Sequence, residues 1–167
     1  MHASQVYKKY LMWGLYALLF LLVMLFEEAT LGRQRFFGAK LSLLPMVIVL
    51  ISMHLGHEVG GLFSLLAALF WCCSGGDSGS IAILTWTVLG IAAGYLCSAV
   101  FRPGILPALG LSLFALLFHE GIVSLFNVYF EGATMAMGRW VLISAGLSLI
   151  GCPILYLLCR AIGKVVG

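Results

Sequence analysis

Two adjacent ionisable residues, His119 and Glu120, stand inside an apolar run that extends from Ile105 to Phe130. At about 1.5 Å of rise per residue, Glu120 lies roughly 15 Å along a helix from Phe130, which puts the pair at membrane depth. An imidazole beside a carboxyl group at that depth can relay a proton, contact a ligand, or clamp two helices by hydrogen bonding. The pair is isolated in sequence from any second ionisable cluster, so the clamp is the expected role.

His54, His57 and Glu58 form the other concentration of titratable groups. Imidazoles at i and i+3 with a neighbouring carboxylate supply part of a metal coordination set. His57 and Glu58 are adjacent, however, and adjacent residues diverge on a helix, so no metal site is expected. The five cysteines, Cys72, Cys73, Cys97, Cys152 and Cys159, sit within or at the ends of apolar runs and contain no CxxC pair, as buried thiols do. Residues Ser74 to Ser80 form a glycine-rich loop with Asp77 as its one charge, but the Lys-Ser or Lys-Thr of a phosphate-binding loop does not follow. No serine nucleophile has a recognisable base, and no carboxylates are paired as acid and base. The expectation is a protein without catalytic residues, cofactor or metal.

The elements that position these groups follow from composition. Of 167 residues, 63% are hydrophobic and 9% charged, and mean hydropathy is +1.14. Soluble domains carry about 25% charged residues, so this is an all-α integral membrane protein with short loops. The net charge of +3 is scattered and not clustered, which argues against nucleic-acid binding. The apolar runs predict six transmembrane helices in a single domain, at about 8–27, 41–56, 58–73, 80–101, 104–130 and 139–162. Lys8 and Lys9 before the first run are read as flanking a span and not as the start of a secretory leader. The second and third runs are shorter than the roughly 20 residues of a perpendicular span. Gly151 and Pro153 interrupt the sixth.

An even number of spans places both termini on one side with the loops at Gly56 and Arg102. That side carries Lys8, Lys9, Arg102, Arg160 and Lys164, against Arg33, Arg35, Lys40 and Arg139 on the other. Five against four favours cytoplasmic termini.

Small residues recur every four positions at Gly60, Ser64 and Ala68, and again at Gly90, Gly94 and Ser98. Positions four apart share a helix face, so each stripe lets a second backbone approach closely, either within this chain or from a partner helix.

Several weak features then fall in a familiar order: Glu27-Glu28 ending helix one, Leu44-Pro45 in helix two, and Gly56 to Gly61 opening helix three. Leu69 to Trp71, the Ser-Gly loop at Ser74 to Gly76, and Gly94 to Leu96 before Arg102 complete it. Over roughly residues 10–160 this pattern resembles the rod shape-determining protein MreD family, in its divergent Gram-positive anaerobe form. Cys72 departs from it, standing where that family usually has aspartate. The resemblance implies a non-enzymatic six-helix scaffold of the cytoplasmic membrane that binds an MreC-type bitopic partner and the lateral cell-wall synthesis machinery. It also implies a fold similar to the substrate-binding components of energy-coupling vitamin transporters. The alternative is therefore a component of vitamin or metal-ion uptake. Met1-His2 resembles the amino terminus of nickel and cobalt uptake components, although Ala3-Ser4 follows in place of acidic and glycine residues.

Overall fold

The computed structural model describes residues 2–31, 41–75, 79–100, 104–131 and 137–166, and every regular element among them is helical. In order these are α1 (His2–Phe26), α2 (Leu44–Leu55), α3 (His57–Cys73), α4 (Gly79–Ala99), α5 (Ile105–Glu131), α6 (Met137–Leu149) and α7 (Cys152–Val166). A π-helical turn at Glu27–Leu31 continues α1. Among the described residues three stretches are long and apolar enough to cross a bilayer: Tyr10–Ala29, Gly79–Ala99 and Ile105–Phe130. A fourth results if Val141–Leu149 and Cys152–Lys164, which meet at 48°, form one bent span.

The bend has a local cause. The amides of Ile150 and Gly151 bond to the carbonyls of Leu147 and Ser148, tight i to i−3 turns that close α6. Pro153 then opens α7 within its first turn, where a missing amide proton costs little.

α2 and α3 have 12 and 17 residues, which at 1.5 Å each rise about 18 and 25 Å, short of the roughly 30 Å of hydrocarbon. α2 occupies the centre. Every residue from Leu44 to Met53 is buried, and α1, α3, α4, α5 and α7 all pack around it. A helix apolar on all sides is stable only when enclosed. The outer helices instead alternate core and surface: Leu18, Leu22 and Leu25 on α1, Leu62, Leu66 and Leu69 on α3, and Leu84, Val88 and Ile91 on α4 are exposed. Their three- and four-residue spacing marks one outward face per helix.

Gly56 alone reverses the chain between α2 and α3, at φ 82°. This left-handed value favours glycine, so a two-helix hairpin closes through a single residue. The start of α5 and the end of α7 lie at the same end of the bundle as this turn, around a shared cleft. At the opposite end, Glu27 meets the beginning of α2.

Candidate functional site

The small-residue stripes are brought together. Gly90 of α4 lies directly over Ser64 of α3: a methyl group at Gly90 would be 2.7 Å from Ser64 Cβ, in contact with its Oγ, and 3.2 Å from the Gly60 carbonyl oxygen. At Gly94 the methyl would fall 2.6 Å from the Gly56 carbonyl carbon and His57 Cα. Gly60 faces α2 as well, where Ser52 Cα would stand 2.9 Å from an added Cβ and Ser52 Oγ donates to the Gly60 carbonyl at 3.3 Å. The three helices meet backbone to backbone, and Ser64 satisfies its own hydroxyl by donating to the Gly61 carbonyl at 2.8 Å. Ala68 is buried on the same seam, whereas Ser98 is exposed.

His119 is buried, and its Nδ1 lies 2.8 Å from Thr85 Oγ1, joining α5 to α4. Thr85 Oγ1 is also 2.9 Å from the Ile81 carbonyl, so its single proton goes to that carbonyl when His119 Nδ1 is the donor. The imidazole sits against Trp86, with ring centroids 5.8 Å apart, and Trp86 in turn against Trp71 at 6.1 Å. Both indole Nε1 atoms are buried without a hydrogen-bond partner among the described residues. Glu120, one position on, is half-buried and engaged with its surroundings. Removing one member of the buried contact should cost about 1–3 kcal/mol, because the other is left unsatisfied. Thr85→Val is therefore expected to lower thermal stability, and the double variant Thr85→Val, His119→Phe to lose much less than the sum of the single losses. A double-mutant cycle in detergent measures that coupling.

A buried acid missed by motif reasoning lies at the other end of α2. One Glu27 carboxylate oxygen accepts hydrogen bonds from the amides of Leu43 at 2.8 Å and Leu44 at 3.1 Å. Ser148 Oγ accepts from the Ser42 amide at 3.2 Å, and Pro45, the next residue, has no amide proton. A helix start leaves its first amides without intrahelical partners, and here the amides of Leu43 and Leu44 are part-buried and buried. Glu27 and Ser148 take that place.

The His54, His57 and Glu58 group does not converge. His54 Nδ1 lies 2.9 Å from the Leu50 carbonyl, while His57 and Glu58 form an exposed pair at 3.8 Å. Among the described residues no three His, Cys, Asp or Glu side chains gather at metal-binding distance. Cys97, Cys152 and Cys159 are buried thiols, but Cys72 is half-buried and Cys73 exposed, at the end of α3, where the helix emerges from the core. Asp77 lies outside the described residues.

His54 instead borders a cleft of about 580 Å3 formed with Met12 and Tyr16 of α1, the start of α5, and Tyr156, Arg160 and Lys164 of α7. Tyr16 is anchored there by donating to the Cys159 carbonyl at 3.3 Å. His119 thus joins two helices through Thr85, while the cleft gathers polar side chains of α1, α2 and α7 around open space. No family model, curated protein or solved structure matches the chain.

Proposed function

We propose that this chain is a non-enzymatic scaffold of the MreD type in the cytoplasmic membrane, binding an MreC-type bitopic partner within the lateral cell-wall synthesis machinery. Six crossings are counted in this reading: α1, α2, α3, α4, α5 and the bent α6–α7 pair. Both termini lie on the cytoplasmic side, in a fold similar to the substrate-binding components of energy-coupling vitamin transporters. The short α2 is compatible with a crossing because it is enclosed by protein, where non-spanning backbone ends are tolerated once their polar groups are paired.

The observation that carries the reading is the use of membrane-depth polar groups. Glu27 holds the amides of α2, Thr85 meets His119, and Cys152 Sγ donates to Ser112 Oγ at 3.4 Å, so each joins two helices. Side chains committed to internal geometry build a rigid body, and a rigid body with apolar outer faces suits lateral contact with a single transmembrane helix. Co-expressed with an MreC-type protein, the chain is expected to co-purify with it at a fixed ratio through size-exclusion chromatography in mild detergent. Separation of the two under conditions that keep this chain folded would overturn the reading. The cleft favours a second one, the substrate-binding component of a vitamin or metal-ion transporter, because it gathers polar side chains from different helices. Capture of an ATPase pair in place of the bitopic partner would decide for it.

A further inference from the structure

The cleft at the terminal end of the bundle has a lopsided charge. Arg160 and Lys164 stand four residues apart on α7, on one helix face, and both border it together with the half-buried His54. No carboxylate lines it, and neither cation has an ion-pair partner among the described residues. The first residue of α5, Ile105, forms another part of the wall, so the amino terminus of a 27-residue helix adds its positive end to the same space. Placement near its own helix terminus accounts for Lys164 alone. It does not account for Arg160, His54 and a second helix's amino end converging on one cavity.

The remaining wall is apolar. Ile105 and Leu157 border the cleft and are 46% and 58% exposed, so accessible apolar surface adjoins the charged groups. A ligand that fits both parts has an anionic head and an apolar tail. Phosphate suits this head because guanidinium binds its oxygens through two parallel hydrogen bonds and the ammonium supplies a point charge. About 580 Å3 falls within the range that encloses a group of headgroup size.

We propose that this cleft binds the phosphate of an anionic membrane amphiphile, with Arg160 and Lys164 on the phosphate and the acyl chain along Ile105 and Leu157. The site does not rest on the partner assignment above, since retained lipid is read on the chain alone.

Native mass spectrometry of the intact chain, released from mixed vesicles of phosphatidylcholine and phosphatidic acid, measures the lipid retained. The wild type is expected to keep one phosphatidic acid in preference to phosphatidylcholine. Arg160→Gln and Lys164→Gln should each lower retention about fivefold, and the pair about 25-fold, at the usual worth of a basic side chain near an anionic lipid surface. Lys8→Gln removes an exposed cation outside the cleft and should change nothing. An equal loss in Lys8→Gln would mean general surface attraction and overturn the site.

Gly163→Leu tests the cavity without touching charge. A Cβ there lies 3.6 Å from the Tyr16 hydroxyl and 3.8 Å from His54 Cδ2, ordinary contact distances, so the helix tolerates it while the longer side chain fills the cleft. Retention should fall although the thermal transition is kept. Unchanged retention in a folded Gly163→Leu would place the lipid elsewhere and overturn the proposal. Glycerol 3-phosphate at millimolar concentration separates the two sources of phosphate. It should displace phosphatidic acid weakly, and complete displacement would assign the cleft to a soluble phosphate and overturn the amphiphile.

Discussion

Gly94→Ala should lower the thermal stability of the folded chain by about 3 kcal/mol, the upper part of the usual range for overpacking. The added methyl group falls 2.6 Å from the Gly56 carbonyl carbon and His57 Cα and 2.7 Å from the Gly56 oxygen. These are backbone atoms of a one-residue turn already held at φ 82°, so no side chain can rotate to make room. α4 must move off α3 or the turn must open. Gly90→Ala meets a different obstacle, the Ser64 side chain, and its cost should fall by roughly half in a Ser64→Gly background, since the two sites are coupled by direct contact. No comparable rescue is expected for Gly94→Ala. Gly110→Ala serves as the control because nothing lies within 4 Å of its added methyl. If Gly94→Ala melted with Gly110→Ala, the close approach of α3 and α4 would be wrong.

The helix faces involved were legible in the sequence, and their register was not. A four-residue repeat of small side chains defines a flat face, but it is silent about which face receives it and at what offset. Gly90 is shared between Gly60 and Ser64, and Gly94 is already level with the Gly56 turn. One turn further along α4, Ser98 is exposed, and the second stripe ends there. Helix extents show the same division. Apolar runs marked α4 and α5 nearly to their ends, because long spans end where polarity rises. The expected 41–56 helix begins three residues later, at Leu44, because its start is set by acceptors from other elements and not by a local capping side chain. His119 was conspicuous by depth alone. Its partner Thr85 lies 34 residues away in the sequence, on a helix whose polar residues otherwise looked ordinary.

In the sequence Glu27 stands at the polar end of the first helix, a place that hides its work in the fold. The available clue was α2 itself: the residue before it is Leu43, which offers no side-chain acceptor, and a helix that begins inside a membrane protein needs one. Glu27→Leu leaves the Leu43 and Leu44 amides without their carboxylate, at about 1–3 kcal/mol for each buried unsatisfied donor. It also removes the carboxylate's interaction with the amino-terminal end of the α2 dipole, worth up to roughly 2 kcal/mol in a buried setting. The expected total, about 2–8 kcal/mol, is a large share of the 5–15 kcal/mol that ordinarily separates folded from unfolded domains. Glu27→Leu should therefore fail to give a monodisperse protein in detergent, or should melt far below the parent. Glu27→Gln retains a carbonyl oxygen that accepts from both amides, and its loss should stay near 1–2 kcal/mol. Glu28→Leu, at the adjacent exposed position, should change stability little. The order of the three variants carries the test. Equal losses in Glu27→Gln and Glu27→Leu would mean that the charge and not the acceptor matters, and unchanged melting in Glu27→Leu would mean that α2 finds its start without this carboxylate.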